Sequence, residues 1–184
     1  AQNLFQFDTS TLVFALPEIF LLSSIVVILL IDVFLKKSFK NITYYLSQIA
    51  IFITALLSYN LIGNGEQIIF SGSFIHDDLA AIFKVAMMVA SIVVLVYSRT
   101  YLNIHNLFKG EYFVLVLLAI LGMMVMVSGY SLLTLYLGLE ILSLSLYTLI
   151  AIARSRANAV EAGLKYFVLG AIASGLLLYG MSMI

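Results

Sequence analysis

Cysteine is absent from the 184 residues, there is one proline, and only 10% of the side chains are charged. Without cysteine there are no disulfides, no thiolate metal ligands and no cysteine-held iron–sulfur clusters. Nine basic residues balance nine acidic ones, and no long basic tract exists, so nucleic-acid binding has nothing to rest on. The two histidines, His76 and His105, lie in or near predicted loops and lack the grouping of a metal site, so no metal ligand is assigned. No nucleotide-binding motif is present. The shortage of charge is the most informative lack, because an average soluble domain carries about 25% charged residues.

What fills the chain instead is apolar. Hydrophobic residues make up 64% of it, and the mean hydropathy is +1.16. It reads as an integral membrane protein of all-α class, a polytopic bundle, since a closed barrel would alternate in short strands. Six spans are predicted, at 12–35, 43–62, 79–98, 112–128, 131–153 and 162–184. The first lacks a basic lead-in and is long enough to cross, so it reads as a membrane helix and not as a cleaved signal. Between the fourth and fifth, Ser128-Gly129-Tyr130-Ser131 is expected to turn the chain tightly. The basic loop residues Lys36, Lys37, Lys40, Arg99, Lys109, Arg154 and Arg156 all fall in odd-numbered connections, while the second holds Glu66, Asp77 and Asp78. The positive-inside rule then predicts an outward-facing amino terminus.

Against this background, the ionisable residues inside spans stand out. Glu140 lies near the middle of 131–154, close to the midplane of a hydrocarbon core about 30 Å thick. A charge there costs about 2.5–3.5 kcal/mol on insertion scales, which about a dozen neighbouring Leu and Ile residues offset. Tyr136, Glu140, Ser143 and Tyr147 follow the i, i+4, i+7, i+11 pattern of one helix face. That stripe predicts contact with other helices or water, either as a packing device or as a working site. Lys165 follows Glu161 by four residues, so it reads equally as a functional group or as a snorkelling lysine with a local ion pair. Asn158 and Glu161 have the spacing of a capping box. Gly170 with Ser174, and Ala171 with Gly175, predict close helix packing around Lys165. Lys84 is a third intramembrane candidate for the proton path, with snorkelling toward Asp77 and Asp78 as the simpler account; Glu18 is explained by end-capping after Pro17, and Asp32 by a pair with Lys36. The stretch from Gly63 to Asp78 is expected to be an exposed connection.

Burial favours the uncharged form of an acid or an amine, and a nearby opposite charge reverses that. An acid and a lysine whose separation changes would therefore take up and release protons. Beyond this general chemistry, LPEIFLL (16–22), GEYFVLVLLAILGMMVM (110–126), LYLGLEILSLSLY (135–147) and LKYFVLGAIASGLLLYG (164–180) resemble the subunit N family of proton-pumping NADH:quinone oxidoreductase, respiratory complex I, called subunit 2 in mitochondria. The stretch around Glu140 also resembles the related antiporter-like subunits, including those of multisubunit cation/proton antiporters. The resemblance implies a proton-translocating membrane-arm subunit, with Glu140 matching the family's glutamate on its fifth helix and Lys165 a lysine on the next. It implies other membrane-arm subunits and the lipid bilayer as partners, in a bacterial plasma membrane or a mitochondrial or other organellar inner membrane. It implies no cofactor in this chain, with NADH, FMN, iron–sulfur clusters and quinone bound by other subunits. Family members are much longer, so residues 1–184 are expected to be a single membrane domain, an amino-terminal part of a longer antiporter-like subunit. The other readings are a cation/proton antiporter subunit and a structural element of membrane assembly.

Overall fold

A computed structural model describes residues 11–34 and 40–184. A 3-10 turn, Thr11–Ala15, leads into α1, Leu16–Phe34, and α2 follows at Lys40–Asn60. A two-stranded antiparallel hairpin comes next, β1 Gln67–Ile69 and β2 Phe74–His76. Four more helices complete the chain: α3 Asp78–Ile104, α4 Gly110–Val127, α5 Leu132–Ile150 and α6 Ala157–Met181. Among the described residues, six helices are long and apolar enough to cross a membrane, as the apolar runs predict.

α4 sits at the centre, touching α1, α2, α3 and α5. It buries residues all round, from Phe113, Val114 and Leu117 to Ile120, Leu121 and Met124, as a helix without a polar face must. α1 contributes the stripe Glu18, Leu21, Ile25 and Ile28. α2 contributes Thr43, Ser47, Thr54 and Ser58, all fully buried. Ser47 and Thr54 donate to the carbonyls of Thr43 and Ala50 at 2.8 and 2.7 Å. Small hydroxyl residues that satisfy themselves on their own helix let neighbouring backbones approach closely. α6 packs chiefly on α5 and buries Gly163 alone among its residues.

Several boundaries move for physical reasons. α3 continues to Ile104 because Leu102 is buried in the core, and Arg99 lies over the rings of Tyr44 and Tyr45, 5.0 and 5.7 Å from their centroids. A cation held on aromatic faces need not end a span. α6 begins at Ala157, with Arg156 at its N-cap and no side-chain cap bond, so Asn158 lies inside the helix and the expected capping box does not form. The turn at 128–131 does form: Ser131 caps α5, accepting from the Thr134 N–H at 3.1 Å. Replacing Ser131 with alanine is expected to cost about 1 kcal/mol, read as a lowered unfolding midpoint in detergent. Asp32 accepts from the Thr43 hydroxyl at 3.1 Å; its expected partner, Lys36, lies outside the described residues.

The connection from Gly63 to Asp78 is not simply exposed. Ile69, Phe74 and His76 are buried, and Phe74 bridges to Gly129. The Ile75 N–H donates to the Ser128 carbonyl at 2.9 Å and the Tyr130 N–H to that of Ser73 at 3.1 Å. The hairpin is thus sewn onto the α4–α5 turn, closing one end of the bundle. Among the described residues, Lys40, Arg99, Lys109, Arg154 and Arg156 all lie toward the other end.

Candidate functional site

α5 is set by its seam with α4. A Cβ on Gly122 would stand 2.6 Å from the Leu142 nitrogen, and one on Gly138 would stand 2.8 Å from the Met126 nitrogen, so the backbones all but touch. Glu140 follows Gly138 by two residues, about 200° round the helix, and therefore faces away from α4. It shares its face with Tyr147, seven residues on, and that face meets α6. Tyr147 is buried, edge-on to Tyr166 and Phe167 with centroids 4.8 and 5.6 Å apart, and its hydroxyl rests against Gly170. Tyr136 and Ser143 are half-buried on the same stripe. Glu140 is half-buried too, yet its Oε1 is wholly enclosed and has no hydrogen-bond partner among the described residues. An enclosed carboxylate oxygen without a donor is costly.

Lys165 is not brought to it. Its ammonium pairs with Glu161 Oε1 on its own helix at 2.6 Å, and both side chains are exposed. Packing of Gly163 against Ala151 places Lys165 on the order of 13 Å from Glu140 along the helix axes, at 1.5 Å rise per residue. The close packing expected of α6 is found at Gly170, against Tyr147, but it does not extend to Lys165, which is exposed, or to Gly175, where nothing lies within 4 Å of an added Cβ.

The most deeply buried charged contact among the described residues joins two other residues. Lys84 Nζ lies 2.6 Å from Glu18 Oε1, with side chains 1% and 10% exposed. Lys84 therefore does not snorkel toward Asp77 and Asp78: Asp77 caps α3 by accepting from Ala80, and Asp78 accepts from Gly63. Glu18 is likewise not an interfacial end-cap. The hairpin covers the pair. Lys84 Nζ sits 5.1 Å from the Phe74 ring centroid, and His76, two residues on, shares the buried face of β2 with Phe74. His76, 1% exposed, meets Phe14 at 5.2 Å and contacts the Leu61 carbonyl through Nε2 at 3.1 Å. A signal for this pairing was present in the sequence. Glu18 and Lys84 each lie within the first two turns of an odd-numbered span, and odd-numbered spans enter from the same side.

The family model described as NADH:quinone oxidoreductase/Mrp antiporter, transmembrane, matches residues 129–184. The chain is 72% identical over 182 residues to NADH-quinone oxidoreductase subunit N of Ruthia magnifica subsp. Calyptogena magnifica, covering 99% of this chain and 38% of that protein. It is 50% identical over 169 residues to the subunit N of Thioalkalivibrio sulfidiphilus, covering 92% and 35%. The chain thus spans little more than a third of the length of these relatives. Among solved structures it is similar to a chain of respiratory complex I from Thermus thermophilus, with a TM-score of 0.73 and 26% identity over 89% of this chain and 35% of that one. The fold also matches a chain of an archaeal membrane-bound sulfane sulfur reductase, with a TM-score of 0.76 and 24% identity over 91% and 36%.

Proposed function

Since the chain belongs to the antiporter-like membrane subunits of the NADH:quinone oxidoreductase and Mrp antiporter family, we propose that it is a proton-translocating membrane-arm subunit of an NADH-quinone oxidoreductase. The observation that carries this reading is the enclosed, unpartnered Oε1 of Glu140 in the middle of a membrane helix. An intramembrane acid is expensive to keep and marks a proton path by default. Its face points toward α6, away from the α4 seam. Other membrane-arm subunits are the partners, and electron transfer from NADH to quinone takes place on redox groups held in other parts of the complex. The bacterial relatives favour the bacterial plasma membrane, with the basic end of the bundle cytoplasmic by the positive-inside rule.

In this reading Glu140 takes a proton when no cation faces it and releases it when one approaches, because an opposite charge favours the carboxylate. Lys165 stands about two turns away along the axis, paired with Glu161, so it serves as a separate station and not as the direct partner. Tyr136, Ser143 and Tyr147 line the same stripe and supply hydroxyls along it.

Glu140→Gln keeps the shape and removes the exchangeable proton. Assembled complexes carrying it, in sealed vesicles, are expected to oxidise NADH while the number of protons moved per electron pair falls. An unchanged ratio would refute the proposal. Loss of assembly without a selective transport defect would favour a structural role. Sodium-dependent flux with no NADH-oxidising partner would favour the cation/proton antiporter reading, which the shared family model leaves as the second choice.

A further inference from the structure

We propose that Glu18, Lys84 and His76 form a second proton-exchange site, at the hairpin end of the bundle and outside the segment that the family model matches. This rests on the proton-translocating reading above and extends it to α1 and α3.

Three elements distant in sequence build the site: Glu18 from α1, His76 from β2 and Lys84 from α3. All three side chains are at least nine-tenths buried. The ammonium has three N–H groups and the carboxylate two oxygens, yet among the described residues each has only the other as a charged partner, with the Phe74 face covering Nζ. His76 has a definite polarity. A carbonyl only accepts, so the Nε2 facing Leu61 O carries the hydrogen in the neutral ring, and Nδ1 is then a bare acceptor. Nδ1 has no partner. The hydroxyls of Ser58, at the end of α2, and of Ser128, at the end of α4, are also buried without partners. Apart from Glu140, every unpartnered buried polar side chain among the described residues belongs to this end of the molecule. Polar groups left open in this way are the usual lining of internal water.

A buried ion pair is weak evidence for stability, since apolar residues of similar volume often do as well. Its chemistry gives a better account. If a proton shifts from Lys84 Nζ to Glu18 Oε1, one N–H bond breaks, its electron pair stays on nitrogen, and one O–H bond forms. Both charges vanish together, so no lone charge is stranded. The amine can then accept a proton delivered from the hairpin side, where the bare His76 Nδ1 supplies a basic nitrogen. Release of the carboxyl proton restores the original pair. One proton has crossed the site, and nothing else has changed. Among the described residues, the other charged groups nearby, Asp77 and Asp78, are engaged with backbone N–H groups, and the parts of α2 and α4 that close this end present the hydroxyls of Ser58 and Ser128.

The test uses assembled complex in sealed vesicles, with NADH oxidation and acidification followed together by a pH-sensitive dye. The neutral pair Glu18→Gln with Lys84→Met is expected to assemble and oxidise NADH while moving fewer protons per electron pair. His76→Gln, which keeps a donor for Leu61, is expected to slow acidification in the same way. Should the neutral pair fail to assemble, Glu18→Asp is read instead, since it keeps both charges and draws the carboxylate back by one methylene; a relay loses protons per electron pair, a latch does not. A native ratio in whichever of these is read overturns the proposal and leaves the pair as a latch. Glu140→Gln measured alongside separates the two claims. If it loses translocation while the neutral pair does not, only the second site fails; if it translocates fully, the functional reading itself fails.

Discussion

Truncating Lys84 to alanine is expected to destabilise the chain by about 3–5 kcal/mol, the loss that follows when one member of a buried ion pair is removed and the other is stranded. Among the described residues Glu18 has no substitute: its carboxylate is enclosed, and Lys84 is the cation against it. The same change removes the ammonium from the Phe74 face, worth about 0.5–2 kcal/mol more, and Phe74 is the residue that bridges the hairpin to Gly129. The hairpin should therefore loosen together with α1 and α3, visible as faster amide exchange across Ile69 and Phe74. Glu18→Gln combined with Lys84→Met should recover most of the loss, because both charges leave at once. Unfolding midpoints in mixed micelles measure all three variants. A single Lys84→Ala within about 1 kcal/mol of the native chain would mean that the pair is not closed off from water.

The six helices were legible because each is a long apolar run broken by polar turns, and that pattern survives any packing arrangement. Their ends were less so. Arg99 looks like a loop residue until Tyr44 and Tyr45, more than fifty positions earlier, supply the faces on which it lies. Asn158 and Glu161 have cap spacing, but Glu161 is engaged with Lys165 and the helix starts before Asn158. The hairpin was hidden for a different reason: strands of three residues carry almost no periodicity, and two of its bonds go to Ser128 and Tyr130, in a turn fifty residues away. Glu18 and Lys84 were each read correctly as charges near a span end. Each also had a plausible local explanation, and only the packing of α1 and α3 around α2 and α4 shows those explanations to be unused. Glu140 and its stripe were visible from spacing alone, because that periodicity is a property of one helix. The separation from Lys165 depends on how α6 meets α5, which no single helix encodes.

The seam that orients Glu140 gives the second large effect. Gly122→Leu, on α4, is expected to disrupt the α4–α5 hairpin. Even the first carbon of the new side chain would meet the Leu142 nitrogen at 2.6 Å and the Gly138 carbonyl at 2.8 Å. These are backbone atoms, which no rotamer change can move aside, so the helices must separate. Overpacking of this kind costs about 1–3 kcal/mol and sometimes more, and leucine should lie at or beyond the upper end. Gly122→Ala and Gly138→Ala are expected to be smaller steps in the same direction. Their double variant should cost less than their sum, because a seam already opened by one methyl admits the next. Gly175→Ala, on the open face of α6 with nothing within 4 Å, serves as the control. It should be neutral or slightly stabilising in the chain in detergent, since alanine is the better helix former. The consequence reaches the proposed proton site as well. Glu140 faces away from α4 only while Gly138 faces it, so a seam that opens also turns the carboxylate. Gly138→Ala should therefore lower protons moved per electron pair in assembled complex, even where enough stability remains for assembly. A Gly138→Ala complex with native stability and a native ratio would show that the seam does not orient Glu140.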